Sequence, residues 1–276
     1  MKSSFSVSHA TFAESTRRKG RNVALMTSIL MLGVMLLVIY GNRSEISDWY
    51  LLSKQFERLQ DNAQGYPEYC HRQTGIVFVR LPAGAFVIGS PESEPGRHED
   101  EAQTKVTLSP FLIAKYEVSQ GDWRRVMGYR NFFTADTFPV DMVGSGEAEE
   151  FCARAGLSLP TEPQWEYACR AGTTTAFAFG EVVTPNQVNF ESPTTMPVDS
   201  FQPNGFGLFN MHGNVFEWCV RDPRTPAHGD PNGEWEPARG GGCDTGYETC
   251  RSAARSSGDF AMFPYGFRPV FSLHSG

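Results

Sequence analysis

Apolar residues run without a charge from Val23 to Tyr40, VALMTSILMLGVMLLVIY, and the pattern breaks at Gly41. At about 1.5 Å rise per residue, these 18 residues just cross a hydrocarbon core of roughly 30 Å, so the stretch predicts a transmembrane helix. From Ile46 to Leu59 the apolar positions Ile46, Trp49, Tyr50, Leu52, Phe56 and Leu59 return at helical spacing and predict an amphipathic stalk. The following DNAQGYPEYCHRQTG has turn residues and no period, and reads as a linker into a domain starting near Gly75. Ile76–Ser90 alternates around Pro82, Ala83 and Gly84, which predicts a hairpin, and Val106–Ser119 predicts a second strand pair broken near Pro110. A helix is expected from Ser119 or Asp122 to a stop at Gly128. A second, Gly144–Gly156, turns Ala148, Phe151, Cys152 and Ala155 inward and Glu147, Glu149 and Glu150 outward. In LPTEPQWEYACRAG, Thr161 and Glu162 open a third helix whose inner face is Trp165, Ala168 and Cys169.

The flanks of the apolar span give its orientation. Arg17, Arg18, Lys19 and Arg21 precede it, whereas Arg43, Glu45 and Asp48 follow, so the positive-inside rule keeps residues 1–22 cytoplasmic and exports the remainder. The alternative is a cleaved signal peptide, but no small-residue cleavage pattern follows Tyr40. The expected organisation is therefore a cytoplasmic N-terminus (1–22), an anchor (23–40), a stalk and linker (41–74) and an exported domain (75–276). This places the protein in a bacterial inner membrane as a single-pass protein, with its C-terminal domain periplasmic. A net charge of −7 excludes a nucleic-acid surface, since phosphate recognition needs clustered Lys and Arg that the body of the chain lacks.

Six cysteines, Cys70, Cys152, Cys169, Cys219, Cys243 and Cys250, would then meet an oxidising compartment, where disulfides are the default. Six cysteines allow 15 complete pairings, among which sequence does not choose, and no C-x-x-C zinc spacing is present. Glu162 and Glu166 read as framework, as does His212, which has no second histidine beside it. Arg239, Arg251, Arg255 and Arg268 could fork onto an anionic ligand, or could pair with the many loop carboxylates.

LPAGAFVIGS, PFLIAKYEVS, LSLPTEPQWEYACRAGT, NGFGLFNMHGNVFEWC, RGGG, CRSAARSS and GFRP occur in order between Gly75 and Leu273. Together they closely resemble the sulfatase-modifying factor, or formylglycine-generating enzyme, family. The resemblance implies a compact, loop-rich α+β domain related to the C-type lectin fold. It implies calcium at Asn210, Gly213, Val215 and Glu217, through side chains at the first and last and backbone carbonyls at the other two; this suits a hard cation that takes six to eight oxygens. A second calcium position would start at Asn189 and Phe190, although the loop ESPTTMP after them is short and lacks the family's Asp.

Catalytic members oxidise a substrate cysteine at a pair of cysteines whose soft thiolates hold Cu(I). That pair follows Gly-Gly-Ser with four residues between the sulfurs, whereas Cys243 and Cys250 have six between them. Gly242 takes the place of the serine and Phe216 that of a pocket tryptophan. In the broader family, CRSA carries a structural cysteine accompanied by that of EYACRAG, which implies a Cys169–Cys250 disulfide. Cys243 then stays open: free, paired with Cys70, Cys152 or Cys219, or chemically active. Two functions follow as expectations. One is a copper- or iron-dependent oxidoreductase acting on a protein or peptide through Cys243 and Cys250, with Arg239, Arg251, Arg255 and Phe216 lining the site. The other is a non-catalytic lectin-like binding module, or an accessory subunit of an envelope complex.

Overall fold

The computed structural model describes residues 43–128, 135–224, 236–258 and 264–273. The expected span at 23–40 lies outside them; among the described residues no helix is long and apolar enough to cross a membrane. The chain divides into Met1–Leu51 and Leu52–Gly276, and every described strand belongs to the second.

The stalk expectation holds for one helix, α1 (Arg43–Gln55), and then fails. Phe56 does not continue the helix but opens β1 (Phe56–Asp61), which pairs antiparallel with β2 (Pro67–His71) through a turn held by Asn62. The end of the expected stalk is thus one strand of the main sheet, and the residues read as a linker hold a second. Phe56 is the physical reason: it is 2% exposed, with its ring against His71 and Phe78, a burial that a free stalk would not provide.

The main sheet has five strands in the order β1-β2-β3-β6-β11, with β3 Val77–Leu81, β6 Phe111–Ala114 and β11 Val270–Ser272, all antiparallel. Neither expected hairpin forms. β3 pairs with β2 and β6, whereas β4 (Gly84–Ile88) pairs with β5 (Thr104–Leu108) in a separate two-stranded sheet. Pro82 and Ala83, and likewise Ser109 and Pro110, therefore carry the chain between sheets rather than around a turn. Burial explains the split: Phe78, Val79 and Leu81 are fully buried, as a central strand with two covered faces requires, while β4 alternates exposed and partly buried positions like an edge.

The three expected helices form where the sequence placed them. α2 (Gln120–Met127) starts on a Ser119–Asp122 capping box and stops at left-handed Gly128; α3 (Ser145–Ala155) buries Ala148, Phe151, Cys152 and Ala155 and stops at left-handed Gly156. α4 (Glu162–Arg170) starts on Thr161, whose hydroxyl accepts from the Gln164 N–H while Gln164 Oε1 accepts from the Thr161 N–H at 2.9 Å. A four-stranded sheet, β10-β7-β8-β9, completes the C-terminal half: β7 Phe216–Trp218, β8 Glu236–Arg239, β9 Arg255–Gly258 and β10 Tyr265–Gly266. Trp123, Phe151 and Phe267 stack in one core between α2, α3 and the C-terminal strands, and Trp165 centres another beneath α4.

Candidate functional site

The four arginines that could have formed an anion pocket are nearly all framework. Arg268 is fully buried and forks onto Glu217, with Nε 2.7 Å from Oε2 and Nη2 2.6 Å from Oε1, while Nη2 also donates to the Phe209 carbonyl. Arg239 donates to Glu166 Oε2 at 2.5 Å and to the Ser252 carbonyl, and pairs with Glu162. Glu166 Oε1 accepts from Arg170 and from the Gly89 N–H, so one buried carboxylate ties α4, β4 and β8 together. Arg251 clamps Glu94 and Glu101, and Arg255 pairs with Glu162 and donates to the Asp100 carbonyl. These ion pairs leave little charge for a ligand, although Nε and Nη1 of Arg239 are buried without a hydrogen bond among the described residues.

Glu117, which the sequence did not single out, lies where calcium was expected. It is buried, and Oε2 accepts from Asn210 Nδ2 at 3.0 Å while Oε1 accepts from Asn214 Nδ2 at 2.9 Å. Burial, against the Arg268 charge and with Glu217 close by, pushes its carboxyl up to about 8. Two buried carboxylates thus share one guanidinium. The Asn210 amide also faces the carbonyls of Pro197 and Val198, and its own Oδ1 is buried without a hydrogen-bond partner among the described residues. Glu117 and these carbonyls converge on the Asn210 amide nitrogen, so the donor types suit a hard cation in kind while, as placed, the amides of Asn210 and Asn214 occupy them. Glu217 fits less well than expected, because Arg268 and the Trp165 N–H already occupy both its oxygens. Gly213 and Val215 sit in the same block; left-handed Gly213 packs so close to Asn189 that a Cβ would lie 2.3 Å from its carbonyl oxygen. The second expected position does not assemble: the Asn189 amide donates to Thr194 and to Asn214, and Phe190 packs on Tyr247.

The implied Cys169–Cys250 disulfide is not formed; all six cysteines are free thiols. His212 lies between the two chain segments. Its Nδ1 is 2.7 Å from the Cys250 carbonyl, which can only accept, so Nδ1 carries the proton and Nε2 accepts from the Ala178 N–H at 3.0 Å. Cys169 Sγ lies 3.6 Å from Nε2 and 3.7 Å from the Ser252 hydroxyl, while Cys250 Sγ faces the Gly246 carbonyl and Thr249. Burial pushes Cys169 and Cys250 up to about 12 and draws His212 down to about 4.

Cys243 is brought near enough to Cys250 for its charge to help raise the Cys250 thiol, but it is only 4% exposed. Burial, then Asp244 and Asp141, pushes its thiol up to about 11. Two adjacent sulfurs suit a soft ion in kind. The serine position does not: a Cβ on Gly242 would meet Pro264 Cγ at 2.8 Å, Asp244 Oδ1 at 3.0 Å and Phe216 Cε2 at 3.0 Å. Phe216, at the pocket-tryptophan position, is stacked on Tyr265, which is itself stacked on Trp218. The residues around the pair therefore do not fit a copper-thiolate centre of the catalytic kind.

Among curated proteins, the chain is 35% identical over 178 residues to the formylglycine-generating enzyme of Streptomyces coelicolor, covering 53% of this chain and 57% of that protein. It is 38% identical to the enzyme of Thermomonospora curvata, covering 51% of this chain and 70% of the relative. The chain thus spans little more than half of the first of these. Among solved structures, PvdO from Pseudomonas aeruginosa superposes with a TM-score of 0.63 over 78% of this chain and 98% of that one, at 24% identity, and so shares the fold. The family described as sulfatase-modifying factor enzyme 1-like domain matches residues 64–273, starting eleven positions before the Gly75 expected from sequence and taking in β2. The chain belongs to the sulfatase-modifying factor enzyme 1-like domain family.

Proposed function

We propose that this protein is a membrane-anchored, exported member of the family that works as a binding module on a lectin-like scaffold rather than as a copper-dependent oxidase of cysteine. The observation that carries the reading is the closure around Gly242: three neighbours crowd the Cβ that a serine of the catalytic pattern would need, and Cys243 beside it is buried near two carboxylates. The charge-bearing side chains expected at the site, Arg239, Arg251 and Arg255, are spent on internal glutamates. Calcium, held by Asn210, Glu117 and the neighbouring carbonyls, would stiffen the loops rather than take part in chemistry. The anchor is supported by the uncharged run Val23–Tyr40 and the basic cluster before it.

The relatives' names favour the oxidoreductase reading, and one experiment separates the two. The full chain, in detergent and loaded with copper, is incubated with a Cys-x-Pro-x-Arg peptide and oxygen, and the peptide is followed by mass spectrometry. The expected result is unmodified cysteine. Aldehyde that forms with the native chain and disappears in Cys243→Ser would sink the binding-module reading.

A further inference from the structure

A cavity of about 580 Å³ opens on the face opposite in character to the cysteine pair, among β4, the C-terminal end of α4 and the loop carrying Phe206. Four aromatic rings form its wall in unbroken succession. Tyr66 and Phe206 lie 5.0 Å apart at 80°, Phe206 and Tyr167 5.4 Å apart at 46°, and Tyr167 and Phe86 5.5 Å apart at 57°. Gly84 keeps the wall open, since a Cβ there would lie 2.6 Å from the Tyr167 hydroxyl.

The remaining lining mixes small apolar residues and glycines with four polar side chains, of which one is charged. Gln103, Thr173 and Thr174 offer an amide and two hydroxyls. Arg170 is the charged one, and it is already paired: Nε donates to Glu166 at 2.9 Å, Nη1 to the Thr175 carbonyl and Nη2 to the Gly89 carbonyl. Burial and the neighbouring Tyr66 push the Tyr167 phenol up, so it stays a neutral hydroxyl. An ionic ligand would lose its hydration here without gaining a counter-charge. A purely apolar ligand would leave the Gln103 amide and the Thr174 hydroxyl at the rim without a partner in the cavity, while the Thr173 hydroxyl donates to the Arg170 carbonyl and keeps its lone pairs to accept. A ligand with one apolar face for the rings and hydroxyls at its rim satisfies both halves of the wall, and the volume lies within the range of small-molecule sites.

We infer that this cavity binds a neutral sugar ring, one or two residues of a glycan, stacked on the Tyr66–Phe206–Tyr167–Phe86 wall and hydrogen-bonded by Gln103 and the Thr173–Thr174 pair. The inference rests on the binding-module reading by supplying its ligand, yet the cavity and the cysteine pair are tested by different variants.

The test is saturation-transfer NMR on the full chain in detergent, with maltose, cellobiose, lactose and N,N′-diacetylchitobiose each at about 10 mM, a level that detects millimolar affinity. Phe86→Ala removes one ring of the wall from a half-buried strand position, and a cooperative thermal transition checks that the variant folds. At least one disaccharide is expected to take up saturation from the native protein and from Cys243→Ser, and to bind at least tenfold more weakly to Phe86→Ala. Silence from all four sugars, or equal transfer to native and folded Phe86→Ala protein, overturns the inference. So does a neutral, proline-rich peptide whose own transfer signal is lost in Phe86→Ala while no sugar binds. Aldehyde formation in the copper experiment would remove the binding-module reading while leaving this result intact.

Discussion

Replacing Arg251 by methionine tests whether the family's arginines hold the fold or face a ligand. Arg251 is 2% exposed and makes five hydrogen bonds: Nη1 to Glu94 and Glu101, Nη2 to Glu101 and the Gly96 carbonyl, and Nε to the Glu248 carbonyl. Both glutamates are equally buried, with side chains 4% and 0% exposed. Methionine fills most of the volume but leaves two carboxylates without a cation, and breaking a buried pair in this way costs about 3–5 kcal/mol. For a domain of this size that lowers Tm by roughly 6–20 °C, at about 2–4 °C per kcal/mol. The pH dependence adds a sign. Burial alone would raise the Glu101 carboxyl, but hydrogen bonds from Arg251 and Ser90 and the Arg251 charge outweigh it and hold Glu101 below its ordinary 4.5. In the native protein Glu101 therefore contributes stability above that value, lost as pH falls through the folded pKa. Without Arg251, burial is opposed only by the Ser90 and His98 hydrogen bonds, the carboxyl rises, and acid relieves the defect. The gap between native and variant urea midpoints should therefore narrow from pH 7.5 to 5. Arg251→Met combined with Glu94→Gln and Glu101→Gln should recover at least half of the loss. A cost below 1 kcal/mol, or a gap indifferent to pH, would refute the reasoning and return Arg251 to the candidate ligand-binding residues.

Gly242→Ser, which restores the serine of the catalytic pattern, should destabilise the fold by about 1–3 kcal/mol through crowding against Pro264 and Phe216 and yield no aldehyde; urea unfolding and the peptide assay check both parts. His212 is held neutral, with its pKa drawn from 6.5 to about 4, so its unfolded form binds more protons below 6.5; stability should fall by about 3 kcal/mol as pH drops from 6.5 to 4 and then level off. His212→Gln should flatten that part of a pH–stability profile. Maleimide should label half-buried Cys70 first in the folded protein and the other five cysteines only after unfolding, read by peptide mass mapping; Cys169 and Cys250 resisting label even when unfolded would show them bonded.

Local rules made the helices legible. Ser119–Asp122, Thr161–Gln164 and the stops at Gly128 and Gly156 are decided within four residues, and the structure follows them. Strand partners were not legible, because a hairpin signal reports a change of direction, not which edge the returning strand meets. Pro82 breaks β3 as expected, yet β4 goes to β5 because β3 is already flanked by β2 and β6. The strand β2 was hidden for a related reason: its PEYCH has four partly exposed residues and one buried, so hydrophobic pattern alone does not separate it from a linker.

The same distinction governs the site. The motif residues Asn210, Glu217, Arg239 and Arg268 were visible as a set, but their charged partners lie 51 to 93 positions away, and the partner decides the chemistry. Glu217 joined to Arg268 is a structural fork rather than a free cation ligand, and buried Glu117 joins the cluster only because Asn210 and Asn214 fold back onto it. An arginine in a glycine-rich motif is equally able to meet substrate or to close a core; which it does depends on whether a carboxylate reaches it first. Here Glu94, Glu101, Glu162, Glu166 and Glu217 do so. The aromatic cavity obeys the same rule. Its wall draws on residues from 66 to 206: Phe86, Tyr167 and Phe206 lie in three separate motifs and Tyr66 in none, so each was visible in the sequence but their succession exists only once the fold brings them together.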